Sequence, residues 1–281
     1  MDCKVAAILV LLLVTAASHT AEEWKSRTIY QLLTDRFARG DGKTDACSNL
    51  GYYCGGNYRG IINHLDYIQG MGFDAIWVSP IIDNYNGGYH GYWGRNISAL
   101  NSNFGSEQDF HDFVAACHSR NIWVMVDVVA NHMGNTDTTY TSNYLLNDPA
   151  YYHDYCVITD NDFATYNQPH IENCRLAKLA DLKQENDHVR TTLLSWVSEL
   201  VKKYGIDGLR VDTVPEVPKW FWQQFTSSAA VYTVGEVFNG DMGYVGGYVG
   251  SVTSVLNYPF FFWVRDTLSN NKDMTNLRSY Y

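Results

Sequence analysis

IDGLRVDTVPEV, at residues 206–217, is a short apolar β run that ends in a carboxylate. A second run, VYTVGEV at residues 231–237, also leads from apolar residues into an acid. Asp212 and Glu236 therefore stand where two successive strands stop. The carboxyl ends of parallel strands meet on one side of a sheet or barrel, which is where such folds bind substrates. The two stretches predict a parallel α/β fold in which both acids face one pocket.

Two carboxylates that share a pocket are typical of glycoside hydrolysis. One attacks or stabilises the sugar carbon, and the other protonates the leaving oxygen. Arg210 lies beside Asp212, and a guanidinium there would keep the carboxylate ionised, as a nucleophile requires. A structural alternative stays open, since an Asp-Thr pair after a strand is often a helix N-cap.

The rest of the chain alternates strand-like and helical patterns, which predicts parallel β/α units. Strands are predicted at residues 28–33, 73–78, 122–129, 206–211, 231–235 and 254–256. Helices are predicted at residues 61–71, 106–120, 187–204, 218–227 and 259–269. A long polar and aromatic segment between Val129 and Asp187 interrupts the alternation and predicts a small inserted domain. The glycine-rich residues 243–250 do not link a strand directly to a helix, so they predict a flexible loop rather than a phosphate site.

Composition limits the classes of partner. The chain has 281 residues, 46% of them hydrophobic, which is enough for a sizeable core. Its formal charge of -10, with no run of Lys or Arg, argues against nucleic acid or an anionic membrane as the main partner. Its aromatic content of 15%, with 21 Tyr and 8 Trp, suits the apolar faces of a neutral sugar. Most of these rings are nevertheless expected in the core.

The first residues have the pattern of a secretory signal, predicted over residues 1–20. Lys4 precedes an apolar run that is shorter than the roughly 20 residues a transmembrane helix needs. The mature protein is therefore expected to be secreted, extracellular and monomeric. Asn96 begins the Asn-Ile-Ser glycosylation sequon.

The cysteines fit an oxidising compartment. Without Cys3, which falls in the signal, five remain. Cys117 continues an apolar helical stripe and is expected to be a buried thiol. The other four lie in polar, turn-rich stretches, and the economical pairing joins neighbours along the chain: Cys47 with Cys54, and Cys156 with Cys174.

At this point the motifs resemble those of the α-amylase family of glycoside hydrolases. DVVANH (127–132), GLRVDTVPE (208–216) and GEV (235–237) occur in the family's order on successive strand ends. TIYQLLTDRFAR (28–39), YCGG (53–56), LDYIQGMGFDAIWVSP (65–80) and YHGYW (89–93) extend the resemblance to secreted fungal-type members over the mature chain. The resemblance implies α-1,4-glucan hydrolysis with retention, by a (β/α)8 barrel with a calcium-binding domain inserted after strand 3. The implied divisions are barrel at 21–131, inserted domain at 132–186 and barrel again at 187–281.

The resemblance also implies roles for individual residues. Asp212 would be the nucleophile and Glu236 the general acid and base. The subsite of the cleaved sugar would be lined by His90, Tyr92, Trp93, His132 and Arg210, with Tyr92 stacking on the ring. Calcium would be bound by Asn131, Glu172, Asp181 and the backbone carbonyl of Glu216, all oxygen donors suited to a hard cation.

The chain departs from the family pattern in three places. Pro215 and Glu216 replace a Lys-His pair that is expected to contact the leaving-group side. Ala180 and Lys183 flank Asp181 where the family often has Pro and a second Asp. The chain also ends after about six strands, so we expect a truncated barrel without the last two β/α units and the third catalytic Asp.

Three functions follow as alternatives. The first is an α-amylase that acts on starch or glycogen-type glucans, active at full length. The second is a secreted glucan-binding protein without turnover. The third, disfavoured by the fungal-type match, is a related transglycosylase or α-1,6-glucosidase.

Overall fold

The computed structural model describes residues 19–136, 144–269 and Thr275. Nearly all of the predicted signal, including Cys3, lies outside these residues. The strands of the described part, in chain order, are β1 (Ile29–Leu32), β2 (Ala75–Val78), β3 (Ile82–Asn84), β4 (Gly94–Leu100), β5 (Trp123–Val128), β6 (His132–Met133), β7 (Ala180–Asp181), β8 (Gly208–Val211), β9 (Tyr232–Gly235) and β10 (Ser254–Val255).

Helices alternate with the strands of this described part. The α-helices are α1 (Ala21–Trp24), α2 (Thr34–Phe37), α3 (Tyr58–Asn63), α4 (Leu65–Gly70), α5 (Glu107–His118), α6 (Asp160–Ala164), α7 (Gln168–Ile171), α8 (Asp187–Tyr204), α9 (Lys219–Ala229), α10 (Met242–Gly246) and α11 (Tyr258–Ser269). Short 3₁₀ helices lie at Ser102–Phe104, Tyr144–Leu146, Pro149–Tyr151, Leu176–Lys178 and Val214–Glu216.

One six-stranded sheet organises the molecule. Its strand order is β1-β2-β5-β8-β9-β10, and every neighbouring pair is parallel. All six strands predicted from the sequence are present, with somewhat shorter bounds. This sheet confirms the predicted α/β class and matches six β/α units of a (β/α)8 barrel.

The two faces of the sheet follow from the alternation of side chains along each strand. In β5, Val124 and Val126 pack into the main core together with the helices, while Met125 packs on the other face. In β8, Leu209 belongs to that main core. Arg210 therefore points away from the helices, to the face on which Met125 lies.

The helices that cover the sheet begin and end at the expected signals. α5 begins with a capping box in which Ser106 and Asp109 satisfy each other's backbone N–H groups. α8 ends at Gly205, whose φ of 66° is left-handed and favours glycine. Phe110, Phe113 and Leu193 are fully buried, and each contributes roughly 1.5–3 kcal/mol through burial.

Two local predictions were wrong, and one pair of strands was not predicted. The helix predicted at residues 61–71 is divided at His64, whose ring Nδ1 lies 2.8 Å from the Gly60 carbonyl in place of a continuous helical turn. The antiparallel pair β3–β4 was not predicted, because its contacts link separate stretches. The glycine-rich loop predicted at residues 243–250 begins instead within α10, which Asp241 caps by accepting a hydrogen bond from the Tyr244 N–H.

The segment between β5 and α8 has its own small structure. The antiparallel pair β6–β7 joins its two ends, with His132 opposite Asp181. The disulfide Cys156–Cys174 lies within it, and Cys47–Cys54 is the second disulfide. The division at residues 132–186 stays a prediction. Among the described residues, no helix has the length and apolar character needed to cross a membrane.

Candidate active site

The guanidinium of Arg210 lies between the two predicted catalytic acids. Its Nη1 is 2.5 Å from Asp212 Oδ1, and its Nη2 is 2.9 Å from Glu236 Oε2. Backbone hydrogen bonds fix the strand ends, since Asp212 N donates to the Val128 carbonyl and Glu236 N donates to the Val211 carbonyl. One rigid cation therefore contacts both carboxylates at the carboxyl ends of adjacent strands. Asp212 is held by this contact rather than acting as a helix N-cap.

A third carboxylate, Asp127 on β5, completes this cluster. Arg210 Nη1 is 3.0 Å from Asp127 Oδ1, and strand register places the two residues opposite each other. Tyr92 Oη and Trp77 Nε1 donate to Asp127 Oδ2 at 2.8 and 3.1 Å. Asp127 is fully buried, so these donors offset the cost of removing its charge from water.

Burial dominates the electrostatics of this cluster. Burial raises the pKa of Asp127, and it raises the pKa of Asp212, where the neighbouring carboxylates add to the effect and Arg210 opposes it. Burial also raises the pKa of Tyr258 to about 12, so its hydroxyl remains a donor to Glu236 Oε1 at 3.2 Å. Glu236 further accepts a hydrogen bond from Thr213 N at 3.3 Å.

The predicted sugar-binding residues lie near this cluster. Tyr92 stacks on His90 with ring centroids 5.7 Å apart, and its backbone N–H donates to His90 Nδ1 at 3.0 Å. His132 is buried, and its Nε2 lies 3.1 Å from the Tyr92 carbonyl. Burial lowers the pKa of His132 to about 4, so the ring is neutral at neutral pH. Trp93 remains 38% exposed and meets His90 edge-on.

Three predicted calcium ligands converge where the two ends of the inserted segment meet the turn after β8. Asn131 Oδ1 lies 3.1 Å from the backbone oxygen of Glu216 and 3.1 Å from Asp181 Oδ1. All three atoms are acceptors in this arrangement. Rotating the Asn131 amide by 180° would let its nitrogen donate to both oxygens, whereas a cation among the three would satisfy them without that rotation. The donor set therefore fits a hard cation.

One carboxylate oxygen of the fourth predicted ligand, Glu172, makes a hydrogen bond. Glu172 Oε1 accepts a hydrogen bond from Gln168 Nε2 at 2.8 Å, and the same nitrogen donates to the Pro215 carbonyl. The second carboxylate oxygen of Asp181 lies 2.7 Å from His153 Nδ1. His153 Nε2 in turn contacts Glu185. These neighbours orient the inserted segment around the oxygen cluster.

A cavity of about 440 Å³ opens beside Glu236. Its lining is mainly apolar and aromatic: Phe163, Leu176, Thr213, Pro215, Glu216, Glu236, Phe238, Asn239 and Tyr244. The position of Pro215 and Glu216 in this wall accords with their expected proximity to the leaving-group side. Asn96, the sequon residue, lies away on β4 and is half-buried.

Sequence reasoning gave no role to three residues of the site. Asp127 falls inside a quoted motif, and its position in β5, two residues after Met125, could have placed it on the inner face. Trp77 in β2, two residues after Ala75, could have been placed on the inner face in the same way. Tyr258 reaches Glu236 only through the folding of α11, so no local pattern indicates its contact.

The chain is similar to known proteins over most of its length. Residues 31–280 match the family model described as the α-amylase catalytic domain. Alpha-amylase 1 of Lipomyces kononenkoae is 46% identical over 86% of this chain and 41% of its own length. Alpha-amylase 2 of Schwanniomyces occidentalis is 43% identical over 88% of this chain and 51% of its own length.

Solved structures agree with these matches. An alpha-amylase from Malbranchea cinnamomea superposes with a TM-score of 0.79 at 43% identity, covering 86% of this chain and 53% of that one. The alpha-amylase of Geobacillus thermoleovorans, solved in complex with acarbose, gives 0.78 at 34% identity, covering 86% and 54%. The chain thus spans about half the length of the relatives it matches.

Proposed function

The chain belongs to the α-amylase family, and from that membership we propose that it forms the catalytic part of an enzyme that hydrolyses α-1,4-glucosidic bonds in starch or glycogen with retention. The observation that carries the proposal is that the guanidinium of Arg210 contacts both Asp212 and Glu236 at adjacent strand ends. Retaining glycosidases need two carboxylates close together, one ionised and one protonated.

Asp212 acts as the nucleophile, and Glu236 acts as the general acid and then as the general base. The Asp212 carboxylate attacks the anomeric carbon while Glu236 gives its proton to the departing glycosidic oxygen. Glu236 then removes a proton from the incoming water, which displaces the Asp212 carboxylate and restores both groups. Because the sugar carbon is inverted twice, the product keeps the α configuration.

The surrounding side chains suit a glucose unit. Tyr92 would stack on the ring of the cleaved sugar, and its hydrogen bond to Asp127 fixes the orientation of the aromatic plane. His90, Trp93 and neutral His132 would contact the sugar's hydroxyls and C–H face. Arg210 would act through the acids that it positions. Apolar Pro215 and Phe238 beside Glu236 would line the leaving-group side and alter the product pattern.

The oxygen cluster would hold calcium. Asn131, Asp181 and the Glu216 carbonyl would be the ligands, with Glu172 as the fourth residue of the set. The ion would supply structural cross-linking, because its ligands come from the end of β5, from β7 and from the turn that follows β8. That turn also carries the Thr213 N–H that contacts Glu236.

We further propose that the protein is secreted and acts as a monomer on α-glucan. The predicted signal and two disulfides support an extracellular location. Glucan binding without turnover is the second candidate. The observation that favours it is the pair of exposed aromatic rings at the site, Trp93 and Phe238, which can stack on sugars without any turnover.

The test is hydrolysis of soluble starch, with the anomeric form of the fresh product followed by NMR. The α-anomer is the expected first product. Accumulation of the β-anomer would contradict the roles of Asp212 and Glu236. Starch binding without hydrolysis, measured in the same preparation, would support the second candidate.

A further inference from the structure

A second cavity, of about 440 Å³, opens beside the disulfide Cys47–Cys54 in the loop between α2 and α3. Both cysteines line this cavity, and both are half-buried, so the disulfide borders solvent rather than the core. Charged side chains of both signs share its wall: Arg36, Arg39, Lys43, Asp35 and Asp45. The catalytic scheme uses none of these residues.

The guanidinium of Arg36 contacts one sulfur of this disulfide. Its Nη1 donates to Cys54 Sγ at 2.8 Å. Its Nη2 donates to the carbonyls of Leu50 and Tyr52 at 2.7 and 2.9 Å. Its plane packs over the Tyr89 ring, with the guanidinium carbon 3.8 Å from the ring centroid. These contacts hold a cation in a fixed position against the sulfur of Cys54.

The two sulfurs of the disulfide therefore have different surroundings. Cys47 Sγ lies 3.4 Å from the carbonyl oxygen of Asn49, which disfavours a negative charge on that sulfur. Asp35 contacts the Nε side of Arg36 at 3.0 Å and also accepts a hydrogen bond from Cys54 N at 2.8 Å. Nη1 of the guanidinium remains directed at Cys54 Sγ. Because a guanidinium beside a cysteine sulfur favours the thiolate, Cys54 is the better leaving group of the pair.

We propose that Cys47–Cys54 is a thiol-exchange site at which a low-molecular-mass thiol becomes attached to Cys47. The reagent loses its proton to water, and its thiolate attacks Cys47 Sγ to form a new S–S bond. The bond between the two cysteines breaks, and Cys54 leaves as the thiolate that Arg36 stabilises. A second reagent thiolate can then attack the first reagent's sulfur and release Cys47. Two reagent thiols are thereby oxidised to their disulfide, and the protein disulfide takes up the two electrons.

The disulfide Cys156–Cys174 is an internal reference for this reaction. Cys174 is 2% exposed, and Cys156 Sγ lies 3.4 Å from the Asn173 carbonyl oxygen. An attacking thiolate therefore has less access to these sulfurs than to those of Cys47–Cys54.

The test exposes the folded full chain to reduced glutathione and quenches samples at intervals with N-ethylmaleimide. Peptide mass spectrometry then locates each modified cysteine. In the wild type, glutathione should be found on Cys47 and N-ethylmaleimide on Cys54, in roughly tenfold excess over the reverse arrangement. Cys156–Cys174 should remain closed for longer.

Two variants assign this preference to the contact with Arg36. Arg36→Gln removes the charge beside Cys54, so the ratio of the two arrangements should fall from about ten towards one. Arg39→Gln is the matched control, because Arg39 lines the same cavity but donates to Asp41 rather than to a sulfur. This control should keep the wild-type ratio.

The wild-type ratio alone can overturn the inference, even where Arg36→Gln fails to fold. Glutathione found mainly on Cys54, or equally on both cysteines, would do so. A wild type in which Cys47–Cys54 stays closed, or opens after Cys156–Cys174, would also overturn it. An unchanged ratio in a folded Arg36→Gln variant, or an equal loss in Arg39→Gln, would refute the role of the Arg36 contact. The assay contains no glucan, so its results are independent of the catalytic proposal.

Discussion

Arg210 places one positive charge among three carboxylates: Asp127, Asp212 and Glu236. If all three were ionised, the buried cluster would carry an excess of two negative charges. Burial raises the pKa of Asp127 and of Asp212, which favours keeping a proton within the cluster. A retaining glycosidase needs one protonated and one ionised acid at neutral pH. The Arg210 guanidinium opposes the rise in the pKa of Asp212, so this contact is what favours the ionised carboxylate that a nucleophile requires.

Replacing the nucleophile tests this arrangement. In an active full-length enzyme, Asp212→Asn should lower kcat on soluble starch by roughly 10⁴-fold or more, because the neutral amide cannot form the glycosyl ester. The free energy of unfolding should change by no more than about 1.5 kcal/mol, since shape and most hydrogen bonds are kept. Chemical denaturation measures this second quantity.

The matched control for Asp212→Asn is Asp207→Asn. Asp207 stands just before the amino end of β8, where its Oδ2 accepts a hydrogen bond from Val124 N. That site is distant from the strand's carboxyl end, so activity per folded molecule should be retained. Turnover close to that of the wild type in Asp212→Asn would refute the nucleophile assignment.

Acidic residues at strand ends could be predicted because an apolar run followed directly by an acid is visible in the sequence. Asp212 and Glu236 show that signal directly. Tyr258 does not, since its hydroxyl meets Glu236 only after α11 has packed. Glu216 is a second case, because a glutamate is expected at the surface and this one is buried.

At the level of elements, a His-Asp contact joins α5 to the start of β8. His118 Nε2 lies 2.8 Å from Asp207 Oδ2, at the end of the helix. The hydrogen bond to Asp207 raises the pKa of His118 above its ordinary value of 6.5. His19 also approaches Asp207, at 3.5 Å. The stability of this contact between α5 and β8 therefore depends on whether the His118 ring is protonated.

This coupling predicts a pH dependence of stability. A raised folded-state pKa means that the contribution of His118 is fully present below about pH 6.5 and is lost as the pH rises through the folded pKa. The wild type should therefore lose stability relative to His118→Gln as the pH increases above about 6.5. Urea unfolding from pH 5.5 to 8.5 measures the difference. His111→Gln on the same helix is the control and should follow the wild type; a parallel curve for His118→Gln would contradict the prediction.

The disulfide Cys156–Cys174 is expected to stabilise the inserted segment. It joins residues 18 apart, and closing a loop of that size contributes about 3 kcal/mol in the chain-entropy model. The Cys156→Ser, Cys174→Ser double variant should lose about that amount in chemical denaturation. Removing Cys47–Cys54, separated by 7 residues, is the comparison and should cost about 2 kcal/mol. Equal stability with and without Cys156–Cys174 would show that packing alone orders the segment.

Strands and helices could be predicted where their pattern of apolar and polar residues lies within one continuous stretch of sequence. The six parallel strands are continuous apolar runs bounded by polar residues, and α8 has a helical stripe with glycine at its end. The β3–β4 pair could not be predicted, because Gly94–Leu100 becomes a strand only by pairing with Ile82–Asn84. The break at His64 depends on a side-chain contact with the helix backbone that periodicity cannot indicate.

At the level of the molecule, the sheet is open in the described part of the chain. β1 and β10 are its two edge strands, and a barrel would pair such edges. An aromatic surface lies on α11 and on the loop that follows β9, where Phe238, Phe260 and Phe261 are exposed. The relatives extend to about twice the length matched here. An active enzyme is therefore expected to include barrel structure that covers these edges and rings.

The last prediction follows from this open sheet: the 281-residue chain alone should hydrolyse soluble starch very weakly or not at all. The resemblance to the family implies a third catalytic Asp in the last two β/α units, where it would stabilise the distorted transition state. Hydrogen bonds that strengthen in that state supply several kcal/mol, and each 1.36 kcal/mol is about tenfold in rate. Catalytic groups must also be held to within about 0.5 Å, which a sheet with free edges does not ensure. Fusing the chain to the C-terminal half of the Malbranchea cinnamomea alpha-amylase should raise kcat by several orders of magnitude, and the same fusion carrying Asp212→Asn should abolish the gain. Turnover by the unfused chain equal to that of the fusion would show that six strands are sufficient to hold Asp212 and Glu236 in place.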